Sequence, residues 1–140
     1  MTLKASTLTV GDVHEEVVFE NLTRTQIVMY AGASGDYNPV HTDNEFVTKI
    51  AGYPGVFAHG MLSMGLTAKM LTNYVGDGTL TKYGVRFVKQ VWPGDSLTAK
   101  ATVSAIRQDG PQHLVDLDIV TTNQNGEAVI TGTATARIDP

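Results

Sequence analysis

The chain contains no cysteine. Disulfides, thiolate-ligated zinc and a thiol nucleophile are therefore excluded. It carries little charge of either sign: 10 Lys and Arg against 14 Asp and Glu, a formal net charge of −4, and no basic block. Neither a nucleic acid nor an anionic membrane surface is expected as the main partner. Long apolar runs are also missing. The longest, Gly60 to Val75, is broken by Ser63, Thr67, Lys69, Thr72 and Asn73, and is too short and too polar to span a bilayer. Met1 to Thr7 has no apolar core of a secretory signal, so a soluble cytoplasmic chain is expected. There is no P-loop, no Gly-rich dinucleotide fingerprint and no G-x-S-x-G around Ser34 or Ser63. His14, His41, His59 and His113 show no metal-ligand spacing, so no metal and no cofactor is expected.

What is there describes one globular domain, residues 1–140, with apolar residues at 42% and enough length for a real core. A short strand is expected from Glu16 to Glu20. Thr23 followed by Gln26 is a capping-box pattern, opening a helix over Thr25–Ala33 that ends near Gly32–Gly35. Asp43 or Asn44 can cap a second short helix, Glu45–Ala51, with Phe46 and Ile50 on one face and Gly52 as its stop. The run from Gly60 to Val75 reads as a helix apolar nearly all round, and such a helix is a buried one, with Met61, Met64 and Met70 as core.

Beyond it the period changes to two. Tyr83, Val85 and Phe87 alternate, as do Leu97 to Ala105, Val115 to Ile119 and Ala128 to Ala136, with turns at Trp92–Asp95 and Asp109–Pro111. Asn125-Gly126 is a two-residue hairpin signal. The expectation is an α+β fold: a long buried helix against an antiparallel meander of four strands. A free sheet edge would invite pairing with a second copy.

Two stretches carry chemistry. Gly35-Asp36-Tyr37-Asn38-Pro39-Val40-His41 sets an acid and an imidazole five residues apart in a turn-rich loop. Phe57-Ala58-His59-Gly60-Met61-Leu62 sets a glycine and another imidazole at the start of the long helix. Singly, each has an ordinary explanation: Asp36 as an Asx-turn, His41 as a surface histidine, His59 as a cap, Gly60 as a packing position. Together they supply an acid, a base and a helix N-terminus whose free N–H groups can hold an oxygen gaining charge.

The same residues carry a resemblance. Tyr30-Ala31-Gly32-Ala33-Ser34-Gly35-Asp36-Tyr37-Asn38-Pro39-Val40-His41 and Ala58-His59-Gly60-Met61-Leu62, with Tyr83-Gly84-Val85-Arg86-Phe87 and Pro93-Gly94-Asp95 further on, resemble the MaoC-like hydratase/dehydratase family, the (R)-specific enoyl-CoA hydratases. The sequence is also similar to (3R)-hydroxyacyl-ACP dehydratase subunits. The resemblance implies a hot-dog fold, with the helix wrapped by the sheet and two units joined by sheet pairing. It implies reversible addition of water to a trans-2-enoyl thioester, giving the (3R)-hydroxyacyl thioester.

Under it, Asp36 and His41 bind and activate the water, and the Gly60 N–H holds the thioester oxygen. Substrate contacts are expected among Asn38, Phe57, His59, Ser63 and Arg86. The expected partners are an acyl-CoA or acyl-ACP thioester and a second copy of the chain, or a different hot-dog subunit. A non-catalytic acyl-thioester binding subunit and a thioesterase stay open as alternatives on the same fold.

Overall fold

The computed structural model describes residues 2–140. The capping box forms at Thr23: its hydroxyl accepts the Gln26 N–H, and the Gln26 side chain accepts the Thr23 N–H. Two orphan donors are thereby satisfied, and helix α1 runs Arg24–Ser34. Helix α2 is Asn44–Lys49, and Asp43 is its cap, accepting from the Glu45 and Phe46 N–H groups. Its buried residue is Val47, and Ile50 is 74% exposed, contrary to the expected Phe46/Ile50 face. The helix ends early because the Tyr53 N–H turns back to the Val47 carbonyl.

Helix α3 spans Gly60–Val75, as the sequence predicts. It is not buried all round. Ser63, Thr67, Met70, Leu71 and Val75 form the buried face, while Met61 is 57% exposed. Met61 is therefore surface in this chain and not core. Among the described residues, no helix is long and apolar enough to cross a membrane.

Five strands wrap α3: β1 Val13–Phe19, β2 Leu80–Phe87, β3 Leu97–Asp109, β4 Gln112–Thr122 and β5 Ala128–Ile138. All pairings are antiparallel, in the order β1-β3-β4-β5-β2. Only β3, β4 and β5 form a meander. Strand β2 pairs with β5 at the far edge, not with β3. Alternation says which face a residue takes but not which strand is its neighbour, so this crossing is invisible to the pattern.

β1 starts three residues before the expected strand because its inward positions are polar. His14 stacks on Tyr74 with ring centroids 4.4 Å apart, and Glu16 accepts from Asn73 at 3.2 Å. Asn125-Gly126 belongs to a longer loop than expected. The Gly126 N–H bonds the Asn123 carbonyl, and the Asn123 N–H bonds the Glu127 carbonyl. Three residues, Gln124 to Gly126, thus sit between the paired ones.

The core lies between α3 and the concave face of the sheet. Met70, Leu71 and Val75 meet Ala99, Ala101, Ala134 and Ala136 along with Val103, Val115 and Leu117. The alanines let the sheet close on the helix. Each larger side chain buried there contributes roughly 1.5–3 kcal/mol. A second cluster of Leu22, Ile27, Ala58, Val91, Leu97 and Val129 ties α1 and the approach to α3 onto the sheet.

Candidate active site

The loop between α1 and α2 is built from consecutive side-chain turns. The Asp36 N–H donates to Ser34 Oγ at 3.2 Å. Asp36 Oδ1 accepts the Asn38 N–H at 3.2 Å, and Asn38 Oδ1 accepts the Val40 N–H at 3.1 Å. These Asx turns hand the chain to a 3-10 turn, Pro39–His41. The ordinary reading of Asp36 and Asn38 thus holds for one oxygen of each. For Asp36 the other oxygen remains open, and its side chain is 55% exposed. Asn38 shapes the loop.

His41 is 8% exposed and pinned from several sides. Its Nδ1 lies 2.6 Å from the Phe57 carbonyl oxygen. That oxygen can only accept, so Nδ1 carries the proton and Nε2 presents its lone pair. Nε2 stands 3.9 Å from Asp36 Oδ2. The gap is too long for a direct hydrogen bond. A water at ordinary bond length from both atoms would see them at roughly a right angle, donate to each, and keep a lone pair facing outward.

Burial pushes the His41 imidazole below its ordinary value of 6.5. The Phe57 carbonyl opposes this, the neighbouring His59 adds to it, and Asp36 pulls back upward. The ring is thereby biased toward its neutral, proton-accepting form.

His59 connects this pair to the long helix. Its ring stacks on His41 with centroids 3.7 Å apart, and Tyr30 meets its other side edge-on at 4.8 Å. His59 is the N-cap of α3, so Gly60 is the first helical residue, and its N–H has no intrahelical acceptor. The positive end of α3 therefore begins one residue from the ring that backs His41.

Beside Gly60 lies a cavity of about 290 Å³. Phe57, Ala58, Gly60, Ser63, Phe87 and Val91 are among its walls, but Asp36 and His41 are not. His41 reaches this wall through Phe57, whose carbonyl and ring it contacts, and Asp36 is tied to it through His59, the residue before Gly60. Ser63 is buried and reaches this wall one helical turn below Gly60.

The expected contacts thus separate. Phe57, Gly60 and Ser63 share the cavity. Asn38 and His59 stand off its wall, and His59 is only 2% exposed. Arg86 does not line this cavity. Along β2, Tyr83, Val85 and Phe87 face the helix, so Arg86 points to the other side, beside Gly84, Thr131 and Gly132.

Phe87 was not singled out from sequence, although the same alternation puts it on the helix-facing side. The Phe57 carbonyl was also missed, because backbone groups leave no residue-type signal.

Asp36, His41 and His59 each offer a ligand atom within 4.8 Å of the others, a cluster that linear spacing did not foresee. The two imidazole planes differ by only 23°. Their lone pairs lie in two nearly parallel planes stacked 3.7 Å apart, so they do not both aim at one point, and the cluster is a poor cage for one ion.

A family model described as "MaoC like domain" matches residues 6–125. The chain is 30% identical over 115 residues to the (R)-specific enoyl-CoA hydratase of Aeromonas caviae, covering 81% of this chain and 84% of that protein. It is 33% identical over 90 residues to 3-hydroxyacyl-thioester dehydratase Y of Mycobacterium tuberculosis, 62% of this chain but 31% of that protein. The match thus spans under a third of that longer relative.

Among solved structures, the unliganded R-hydratase PhaJ1 of Pseudomonas aeruginosa superposes with a TM-score of 0.83 at 26% identity, covering 99% of this chain and 86% of that one. A chain of the ChsH1-ChsH2 complex of Mycobacterium tuberculosis superposes with a TM-score of 0.78 at 25% identity, covering 94% and 99%. The element order and sheet are those of the hot-dog fold, as expected.

Proposed function

We infer the activity from one premise: the chain belongs to the MaoC-like domain family. On that premise it is a (3R)-specific enoyl-thioester hydratase, acting reversibly as a dehydratase. The observation that carries the reading is the 3.9 Å gap between His41 Nε2 and Asp36 Oδ2, beside the open start of α3. The (3R) configuration rests on likeness to the Aeromonas caviae hydratase.

The chemistry follows from the geometry. A water held between Asp36 and His41 turns its lone pair to C3 of the enoyl thioester. As the C–O bond forms, one of the pair takes the water's proton, and the double-bond electrons move toward the thioester oxygen. The Gly60 N–H and the positive end of α3 stabilise the charge growing there. A proton returned to C2 completes the addition of one water across the double bond. Fixing both reactants removes the entropy cost that slows this reaction in solution.

The test is hydration of crotonyl-CoA by the purified chain, followed at the enoyl-thioester absorbance band. The product is then offered to a (3R)-specific and a (3S)-specific hydroxyacyl-CoA dehydrogenase. Loss of absorbance with a (3R) product is expected. Unchanged absorbance, or a (3S) product, overturns the reading. Thiol release from saturated acyl-CoA would favour the thioesterase alternative.

A second subunit is part of the same proposal. Strand β2 has one unpaired edge, and Met61 on α3 is exposed next to the site. A second copy laid along β2 would continue the sheet and cover that helix face. The likeness to a chain of the ChsH1-ChsH2 complex supports a different hot-dog subunit as the alternative. Size exclusion with light scattering distinguishes them: a homodimer active alone, or a monomer that gains activity only with a partner.

A further inference from the structure

His59 is the one titratable group in the site that the mechanism above does not use, and it is the most deeply buried of the three at 2% exposure. Its Nε2 lies 3.0 Å from the Asp36 backbone carbonyl oxygen. A carbonyl only accepts, so Nε2 carries the proton. The other nitrogen, Nδ1, is then an acceptor, and it is buried with no partner among the described residues.

A buried acceptor left unpaired is costly, and native structures hold few of them. Ordinary capping does not account for it, because the His59 side chain makes no bond to the first turn of α3. A contact with substrate does not account for it either, because His59 does not line the cavity. What the ring does touch is the reacting pair: it holds Asp36 by its peptide and lies flat against His41.

We propose that His59 is a positioning residue: it sets the Asp36-to-His41 separation, gripping the acid's peptide through its Nε2–H and backing the base's ring. This rests on the hydratase reading for its kinetic consequence, but not for its structural one. The titratable groups facing this stack are Asp36 from the loop and Tyr30 from α1, with His41 itself.

Three substitutions separate the two contacts. His59→Phe keeps a flat ring against His41 and loses the donor. His59→Gln keeps a donor at the position of Nε2 and loses the ring. His59→Ala loses both. Steady-state hydration of crotonyl-CoA, thermal unfolding, and the His41 titration by NMR are measured for each and for the unaltered chain.

His59→Ala and His59→Phe should lower kcat by at least about 10²-fold, with KM within about threefold, as expected when a misplaced pair loses its geometry. His59→Gln should recover about tenfold of that loss or more. The His41 midpoint should rise in His59→Ala, because water reaches the exposed ring face. A folded His59→Ala or His59→Phe variant with kcat within threefold of the parent, or with KM raised and kcat unchanged, overturns the proposal.

If the unaltered chain hydrates no enoyl thioester, the hydratase reading fails. The titration still decides the positioning role: a His41 midpoint that rises in His59→Ala supports it, and one unmoved in all three variants overturns it. Should His59→Ala fail to fold, the Phe and Gln variants decide in the same way.

Discussion

The ring of Phe87 lies against Gly60 so closely that a Cβ on residue 60 would meet its edge at 3.1 Å. The last residue of β2 and the first of α3 thus share one contact, and that contact forms a wall of the cavity. A Cβ at position 60 would push the half-exposed Phe87 ring back by a few tenths of an ångström, and its absence leaves the N–H accessible. Gly60→Ala should be destabilising. Overpacking costs roughly 1–3 kcal/mol, offset by at most about 1 kcal/mol of helix propensity. Adding Phe87→Leu should restore part of that loss, which a double-mutant cycle by urea unfolding would read as positive coupling. Independent effects would refute the contact.

Asp36→Asn and His41→Ala each remove one holder of the water. Each should reduce hydration of crotonyl-CoA by roughly 10²–10⁴-fold. Asp36 is more than half exposed, so its variant should unfold at nearly the parental temperature. Turnover within tenfold of the parent in either variant would remove that residue from the mechanism.

The depressed His41 value has a signed consequence. Between its folded value and the ordinary 6.5, the unfolded chain binds more protons than the folded one. Stability from this group is therefore present above 6.5 and lost as pH falls through the folded value. Urea unfolding at pH 7.5 and pH 5 should show a smaller acid loss for His41→Gln than for the parent. The acid limb of kcat/KM should likewise lie below the ordinary histidine value. A limb above 6.5 would contradict the neutral, buried imidazole.

Thr67 and Thr121 share a buried hydrogen bond of 2.7 Å between α3 and β4. Each single valine substitution strands the other hydroxyl, at a cost of about 1–3 kcal/mol. Tyr83 stands next to Thr67, its phenol pushed up to about 12 by burial. It offers Thr67 a second partner, so Thr121→Val should cost less than Thr67→Val. The double variant should cost clearly less than the sum of the two. Additivity in chemical denaturation would show the bond to be idle.

A Cβ on Gly132 would lie 2.2 Å from the Gly84 carbonyl oxygen, whereas one on Gly84 would meet nothing within 4 Å. Gly132→Ala must widen the β2–β5 ladder and should cost at least about 3 kcal/mol, the upper end of the usual overpacking range. Gly84→Ala should be far milder. Hydrogen exchange should show β2 amides opening faster in the Gly132 variant only. Similar behaviour of the two would mean the strands tolerate separation.

The elements that were legible are those coded by near neighbours. Thr23 and Gln26 declare a helix start three residues apart, the run after His59 stays apolar too long and without the alternation of a strand, and the β3 to β5 alternation names both faces of the sheet. The spacing Asp36…His41 and the pair His59-Gly60 are local too, which is why the candidate site could be named from the string. Tertiary structure alone decided which groups meet. It paired β2 with β5, turned Arg86 away from the cavity through the two-residue period of its strand, and set Phe87 on Gly60. It also put Met61 on the surface and hydroxyls on the buried face of α3, and folded two distant imidazoles into one stack behind the acid. Propensity and period act over one or two turns of chain. The ring nitrogen that faces the carboxylate at 3.9 Å is turned there by a backbone carbonyl sixteen residues beyond that ring, and only the closed fold brings it there.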